Sequence, residues 1–515
     1  MKTPESEGRL AGVTWKRLGM VLGVAAFLAL LIFPIWSDRP LASRTAAAAA
    51  LLAIWWMTEA LPIPATALLP LVVFPLLGVL EPSEVAGSYF SDTIALFLGG
   101  FILALGLERW GLHRRIAFVL LSWIGGSPRR LLAGFLLASA FLSMWISNTA
   151  TAMMLAPLAI AVFGEVQAEH EGVDLRRFGA VLLLIVAYGC SVGGMGSLIG
   201  SPPNGVYQGV LASRFPDAPV FSFFDWMKVM LPFAATFSVI LWVVFALTLP
   251  KGTTAAATIE PRALAERRAK LGPTSRPEWI MLALFAATAL LWIFRRDIDL
   301  GAVVLPGWSR WLPDGSKVSD ATVAISMAVL GFLLPGDPKD QDRGRLFDWQ
   351  MVRGLPWGIL LLFGGGFALA HAFERSTLSQ QLGSLVGGTI EGWPPIAMIL
   401  AVCLLVTFLT EVTSNTATAT VLLPLLADTA IGLGYDPRLL MLPAAVSASC
   451  AFMLPVATPP NAIVFATDRI RIGTMMRYGI GLNLLGAALV TLFIRYLAVP
   501  WLGIDLEAVP DWATP

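Results

Sequence analysis

The stretch Ser147-Asn148-Thr149 lies in strongly apolar surroundings and recurs in the second half of the chain as Ser414-Asn415-Thr416. A Pro-Pro-Asn turn follows each copy, with 204−148=56 residues between the asparagines of the first pair and 461−415=46 between those of the second. Hydroxyls, amides and prolines are poor choices for a helix that faces lipid, because hydrocarbon cannot solvate the polar groups that they add or free. The matched pairs therefore predict a transporter built from a repeat, with its site between the two copies.

The composition places the chain in a membrane. Of its 515 residues, 57% are hydrophobic and 13% are charged, whereas a soluble domain carries about 25% charged residues. Apolar runs that span a bilayer, or nearly so, recur along the chain, for instance Leu18–Trp36 and Gly479–Ile494. We expect an all-α polytopic protein with about eleven transmembrane helices plus two re-entrant hairpins. The net charge of +1 says nothing about nucleic acid or acidic partners, and no nucleic-acid partner is expected.

Positively charged loops orient the predicted helices. Lys251–Arg276 and Gly336–Arg353 are rich in Lys and Arg and are expected in the cytoplasm, whereas the C-terminal tail carries only acids. Arg295–Lys317 fits this scheme less well. We expect a multi-pass protein of a bacterial inner membrane with its N-terminus cytoplasmic and its C-terminus external. The predicted division is a tail (1–17), a first repeat (18–250), a cytoplasmic linker (251–277), a second repeat (278–503) and an external tail (504–515).

Each Ser-Asn-Thr copy is predicted to form the tip of a helical hairpin. Residues 130–163 are too long for one span and too short for two spans with a loop, and residues 393–427 have a similar frame. The charge pattern has the first hairpin entering from the cytoplasm and the second from outside. The glycine-rich segments Leu96–Phe101 and Leu362–Phe367 also resemble each other. The whole predicts an inverted-topology repeat.

The tips have the chemistry of an ion site. Ser, Asn and Thr are favoured at helix N-termini, where exposed N–H groups and the helix dipole attract carboxylates. Glycines and prolines around 193–204 and 454–461 break the facing helices and free carbonyl oxygens for a small hard cation. No Lys or Arg lies in the tips or breaks, so bound cations would provide the positive charge for a dianion. A single copy could equally be the cap of a kinked helix; the matched pair favours the ion site.

These four motifs, with Gly200-Ser201-Pro202-Pro203-Asn204 and Ala457-Thr458-Pro459-Pro460-Asn461, closely resemble those of the divalent anion/sodium symporter family over nearly the whole chain. The resemblance implies Na⁺ as the coupling ion. It implies one Na⁺ site at Ser143, Ser147, Asn148 and Gly200, and a second at Thr410, Thr413, Asn415 and Ala457. It implies substrate contacts from Asn148, Thr149, Asn415, Thr416, Thr458 and Pro459.

The resemblance also implies a mechanism and a partner. Members of the family are homodimers that work as elevators, with the amphipathic pieces Glu108–Val119 and Glu374–Leu382 as hinged arms. Their substrates are di- and tricarboxylates such as succinate, malate, fumarate or citrate, and sulfate in some branches. Because both tips keep the full Ser-Asn-Thr, a C4-dicarboxylate is expected here.

Several alternatives remain open at this point. The same fold could exchange dicarboxylates or use H⁺, and citrate or sulfate could be the substrate. An anion channel would need a continuous polar pore, and an enzyme would need a base, a nucleophile or a metal cluster, whereas the three histidines are scattered. We therefore expect no enzyme. Glu59 and His371 could take part in proton coupling, and Glu411 could be functional as a buried carboxylate close to the cations, although a structural role is favoured for each.

Overall fold

A computed structural model describes residues 4–124, 127–169, 175–219, 221–249, 269, 271–299, 303–338, 344–378, 381 and 392–513. Within these ranges, nine helices are long and apolar enough to cross a membrane, and four shorter apolar helices accompany them. The helical membrane class predicted from composition is therefore confirmed. Most of the expected linker 251–277 lies outside the described residues, and so does part of the amphipathic piece Glu374–Leu382.

The helices of the first half are α1 (Pro4–Ile32), α2 (Pro40–Thr58), α3 (Ile63–Thr66), α4 (Pro70–Leu76), α5 (Pro82–Ser88), α6 (Asp92–Arg109), α7 (Leu112–Ile124), α8 (Pro128–Ser143), α9 (Asn148–Glu169), α10 (Arg176–Gly194), α11 (Pro202–Arg214) and α12 (Phe223–Thr248). Those of the second half are α13 (Arg276–Ile293), α14 (Asp320–Leu333), α15 (Trp349–Val352), α16 (Trp357–Ser376), α17 (Pro395–Thr410), α18 (Asn415–Gly432), α19 (Arg438–Ser447), α20 (Pro459–Phe465), α21 (Ile472–Phe493) and α22 (Val499–Trp501). One small antiparallel pair, β1 (Ile298–Asp299) and β2 (Val304–Leu305), follows α13.

Two helical hairpins, α8–α9 and α17–α18, match each other residue for residue. Equivalent positions differ by 267 residues, as 395−128, 415−148 and 424−157 all show. Each hairpin begins with a proline in the first helical turn, where a missing N–H costs nothing. Each returning helix, α9 or α18, starts at the asparagine of Ser-Asn-Thr and contains one internal proline. The two hairpins are therefore copies of one unit.

Two broken helices follow the hairpins. The first consists of α10 and α11, which Met195–Ser201 separate, and the second consists of α19 and α20, which Ala448–Thr458 separate. Pro202 and Pro459 begin the second half of each, with an offset of 459−202=257. Pro cannot continue a helix from the preceding turn, because its ring lacks the N–H and clashes with the carbonyl four residues back. The prolines thus set where each helix resumes.

The two halves interlock at the breaks. Helix α9 of the first hairpin packs against α20, and α18 of the second hairpin packs against α11. The hydroxyls of Ser201 and Ser449 lie 2.9 Å apart, and Tyr188 on α10 donates a hydrogen bond of 2.7 Å to the carbonyl of Phe452. Hairpins and broken helices therefore form one packed body.

A pairing explains one of the arginines that fitted the charge pattern poorly. Arg295 follows α13 and is buried, with its Nε 2.6 Å from Oδ1 of Asp320. The other oxygen of that carboxylate accepts the backbone N–H of Phe223, at the start of α12, at 2.7 Å. Because its charge is neutralised inside the fold, Arg295 does not report on which side of the membrane it lies.

Two expected boundaries change. The amphipathic piece predicted to begin at Glu108 begins instead at Leu112, because α6 continues to Arg109 and Gly111 then adopts a left-handed conformation with φ of +68°. In the second half, Glu374 and Arg375 belong to the end of α16, which closes at Thr377, also left-handed. Helix α1 begins at Pro4, inside the segment expected as a tail, and its apolar part begins at Trp15.

The approach of α10 to α8 leads to a stability prediction. A Cβ on Gly193 would lie 2.2 Å from the carbonyl oxygen and 2.3 Å from the Cα of Ala140, which are backbone atoms that cannot rotate away. We expect Gly193→Ala to destabilise the protein by about 1–3 kcal/mol, as overpacking does, and to lower the apparent melting temperature in detergent.

The matched control is Gly164→Ala on α9, where a Cβ would meet no described atom within 4 Å. Because Ala is the better helix former by about 1 kcal/mol, this variant should melt at the wild-type temperature or above it. Equal melting temperatures for the two variants would contradict the close approach at Gly193.

Candidate ion and substrate site

The first tip is the short turn between α8 and α9. Its Ser147 hydroxyl accepts the N–H of Ala150 at 3.1 Å and so caps α9. Asn148 and Thr149 then begin the helix in partly exposed positions. The positive end of the α9 dipole lies at these residues. Ser147 is one of the four residues expected at the first cation site, and in this structure its hydroxyl caps α9.

Oxygen atoms crowd together directly behind this tip. The Ser143 hydroxyl lies 2.7 Å from the carbonyl oxygen of Cys190 and also contacts the side-chain amide of Asn148. That amide lies 3.3 Å from the carbonyl of Cys190 and 3.2 Å from the carbonyl of Gly200. With its nitrogen turned inwards, the amide donates to both carbonyls, and this orientation satisfies the hydrogen-bond network. With its oxygen turned inwards, the amide oxygen, the Ser143 hydroxyl and the two carbonyls would be four acceptors with one hydroxyl hydrogen between them. Such a surplus of acceptors is suited to a cation.

Gly200 belongs to this cluster because it has no side chain. A Cβ there would lie 2.6 Å from the carbonyl oxygen of Gly194 and 2.9 Å from that of Ser143. Any other residue would push the first break away from the tip. Ser143, Asn148 and Gly200 therefore lie together, and their oxygen atoms are the hard ligands that suit a cation such as Na⁺.

The second tip repeats this arrangement. The Thr410 hydroxyl lies 2.7 Å from Oδ1 of Asn415 and 3.1 Å from the carbonyl oxygen of Ala448. One hydroxyl hydrogen can satisfy only one of these two acceptors. The Thr413 hydroxyl bonds instead to the carbonyl of Leu409, at 2.8 Å, and contacts the Thr418 hydroxyl, and Ala457 lies in the turn of the second break. The pair Thr410–Asn415 thus matches the pair Ser143–Asn148 at the offset of 267.

Both breaks are held by the asparagine of Pro-Pro-Asn. The Asn204 Nδ2 donates to the carbonyls of Gly194 and Ser197 at 3.0 and 2.8 Å, which lie ten and seven residues before it. Asn461 donates at the same spacings to Ala451 and Leu454, both at 3.1 Å. In the described part of the chain, the buried Oδ1 of each asparagine has no hydrogen-bond partner. The bonds from this asparagine to its break are therefore the same in both halves.

Only the second half has a buried carboxylate next to its tip. Glu411 accepts the backbone N–H groups of Phe452, Met453 and Leu454 at 2.7, 2.8 and 2.9 Å, and the side-chain Nδ2 of Asn483 at 2.7 Å. Four N–H donors suit a carboxylate that only accepts. The equivalent position in the first half, 411−267=144, is methionine. The hydrogen-bonding role favoured for Glu411 is present, and its partners could not be read from the sequence.

The expected substrate residues lie at the starts of three helices, α9, α18 and α20. Thr416 is buried in the first turn of α18, and Thr458 accepts the N–H of Asn461 at 3.3 Å as the cap of α20. Pro459, in the first turn of α20, is exposed. Together with Thr149, these residues surround helix N-termini, which attract carboxylate groups.

The other ionisable candidates lie apart from the tips. Glu59 ends α2 in a left-handed conformation and forms an exposed ion pair of 3.2 Å with Lys16. His371 is half-buried on α16. The residues that the sequence did not single out are Cys190 and Ala448, which contribute backbone carbonyls, and Asn483. The only sequence signal for Cys190 and Ala448 is that each lies shortly before a predicted break.

Solved structures of transporters are similar to this one. The YdaH transporter of Alcanivorax borkumensis matches with a TM-score of 0.55 and 16% identity, over 81% of this chain and 87% of that one. MtrF of Neisseria gonorrhoeae matches with a TM-score of 0.54 and 13% identity, over 83% and 85%. At such identities the likeness concerns the fold.

Sequence relatives are much closer. The sodium-dependent dicarboxylate transporter SdcS of Staphylococcus saprophyticus is 39% identical over 95% of this chain and 92% of that protein. SdcS of Staphylococcus aureus strain MRSA252 is 38% identical over 98% and 94%. The family described as the sodium:sulfate symporter transmembrane region matches residues 12–503. With paired tips and breaks that share one bonding pattern and a family match over nearly its whole length, this chain belongs to the sodium:sulfate symporter family.

Proposed function

We propose that this protein is a secondary active transporter that couples the movement of C4-dicarboxylates, of the succinate, malate and fumarate class, to Na⁺. The observation that carries this proposal is the doubled cluster of hydroxyl, amide and carbonyl oxygens behind two helix N-termini. The relatives of similar length are named sodium-dependent dicarboxylate transporters, which supports the choice of both ion and substrate.

Two Na⁺ ions would bind at the two clusters. The first is formed by Ser143, Ser147, Asn148 and Gly200, with the carbonyl of Cys190 added from the geometry. The second is formed by Thr410, Thr413, Asn415 and Ala457, with the carbonyl of Ala448. Bound Na⁺ supplies positive charge beside each tip. The tips and breaks contain no Lys or Arg, so the affinity for a dianion depends on the cations, and the dependence is reciprocal.

Two tips also suit a substrate with two carboxylates. Asn148 and Thr149 begin α9, and Asn415 and Thr416 begin α18, so each tip offers a helix N-terminus and an amide to one carboxylate. Thr458 and Pro459, at the start of α20, would contribute to the same site. A molecule with a short spacer between two carboxylates fits this duplicated arrangement better than a single anion does.

The packing supports an elevator mechanism. Hairpins and broken helices form one body through α9–α20, α11–α18 and the Ser201–Ser449 contact, and this body would move as a unit. The repeats 18–250 and 278–503 would be inverted, with the hairpins re-entering from opposite sides. The remaining helices would hold the fixed interface of a homodimer in the inner membrane, with the N-terminus cytoplasmic and the C-terminus external.

The transport activity can be measured directly. We expect proteoliposomes to accumulate radiolabelled succinate under an inward Na⁺ gradient and not when choline replaces Na⁺. Uptake that requires internal succinate but ignores Na⁺ would instead identify an exchanger. Linear, non-saturating flux would identify a channel.

The first cation site can be tested with two serines of α8. Ser143→Ala removes a hydroxyl from the oxygen cluster, whereas Ser139→Ala removes one that donates to the carbonyl of Phe135 on its own helix and lies beside the Cys190 thiol, outside the cluster. Loss of a buried polar contact costs about 1–3 kcal/mol, so we expect Ser143→Ala to raise the Na⁺ concentration for half-maximal uptake roughly 5- to 150-fold. Ser139→Ala should leave it unchanged. The same Na⁺ dependence in both variants would argue against this site.

Glu411 is the next residue after Thr410, and its negative charge should favour Na⁺ binding at the second site. We expect Glu411→Gln to lower the apparent melting temperature, since the amide NH₂ would face the N–H of Leu454. We also expect it to raise the Na⁺ concentration that gives half-maximal thermal stabilisation. The matched control is Met144→Leu at the equivalent uncharged position, a swap of similar volume. If Glu411→Gln lowered stability but left the Na⁺ concentration unchanged, Glu411 would be purely structural.

A further inference from the structure

A cavity of about 1020 Å³ lies away from the tips, at the far ends of the same helices. It is formed where α9 ends, α10 begins, α12 ends and α21 begins. Its lining is strongly basic, with the five arginines Arg176, Arg177, Arg469, Arg471 and Arg477. Asp468 is the one acid among the described residues that line it. Among the described residues that line the cavity, one negative charge therefore faces five positive ones.

At the equivalent position of the other repeat copy, a carboxylate neutralises the arginine. Arg214 at the end of α11 is in contact with the carboxylate of Asp428 on α18, and both side chains are buried. The break offset of 257 places Arg471 at the position equivalent to Arg214, and the hairpin offset of 267 places Ala161 at the position equivalent to Asp428. The repeat therefore has the arginine at both ends but this carboxylate at only one. At the cavity, an anion from outside the chain can take its place.

The side chains around the cavity are arranged for an anion. The guanidinium of Arg469 stacks over the ring of Phe163 at 5.2 Å, and Arg177 donates to the Tyr478 hydroxyl at 3.4 Å. Helices α10 and α21 both begin at the cavity, so their positive dipole ends add to the arginines. Arginine binds phosphate oxygens in pairs, with a planar fork of N–H donors.

We propose that this cavity binds a phosphate group, either the headgroup of an anionic membrane lipid or a free phosphate ion. Phe163 and Val181 form an apolar part of the lining next to membrane-spanning helices, which suits the start of an acyl chain. Basic pockets between transmembrane helices on the cytoplasmic side bind such headgroups. The proposal rests on the proposed function only in placing this end of α10 at the cytoplasmic surface. A ligand here would sit on the same packed body that carries both tips.

The test uses the purified full-length protein in neutral detergent without Na⁺ or dicarboxylate, so its result does not depend on transport. One arm adds cardiolipin, phosphatidylglycerol or phosphatidylcholine and measures the apparent melting temperature. The other arm adds potassium phosphate at constant ionic strength. The variant is Arg177→Gln with Arg471→Gln. Arg177→Lys with Arg471→Lys keeps the charge, and Arg129→Gln with Arg130→Gln removes two exposed arginines at the start of α8 that do not line the cavity.

We expect the anionic lipids to stabilise the wild type, the Lys variant and the α8 control, and phosphatidylcholine to stabilise none of them. Each arginine contributes roughly fivefold to headgroup affinity, so the Gln variant should need about thirtyfold more lipid for the same shift. The same pattern with potassium phosphate alone would identify the free ion as the ligand. Equal responses of the wild type and the Gln variant in both arms would overturn the proposal, even if the protein transports succinate.

Discussion

A helix that breaks inside a membrane must find partners for the backbone groups that the break releases, because no water is present to bond them. In this protein two asparagines meet that requirement. Asn204 and Asn461 each bond two carbonyls of the preceding break at the same spacings. The breaks can therefore stay open beside the tips, and the tips can in turn approach them closely enough to form oxygen clusters. Without these two amides, the carbonyls that the breaks release would lack the hydrogen-bond donors that hold them in place.

The sequence predicted the parts of the fold that depend on residue type. Ser-Asn-Thr and Pro-Pro-Asn are polar or helix-breaking groups in apolar surroundings, and they indicated the tips, the breaks and the family. The match over residues 12–503 confirmed the family. The boundaries of α8 and α17 were close because both begin with proline. Polar residue types at membrane depth have few physical uses, so their pattern is informative.

What the sequence did not predict depends on backbone and on distant partners. The carbonyls of Cys190 and Ala448 belong to the clusters, yet a carbonyl has no residue type of its own. Asn483 lies 483−411=72 residues from Glu411, and only the packing of α21 brings the two together. Arg295 fitted the predicted charge pattern poorly because its counter-charge, Asp320, lies at the start of α14. Gly111 moved the start of α7 through a single backbone angle.

The two offsets also record how the copies of the repeat have diverged. Equivalent positions differ by 267 residues in the hairpins and by 257 in the breaks. The first copy therefore has 267−257=10 more residues between its tip and its break than the second copy has. Helix α9 has 22 residues where α18 has 18, which accounts for part of the difference. The hairpin arms α8 and α17, by contrast, have 16 residues each. The difference in length therefore lies between the tip and the break of each copy, where α10 also has 19 residues and α19 has 10. Because the outgoing arms are equal, both tips lie the same number of helical residues from the start of their hairpins, whatever the length of the chain that follows them.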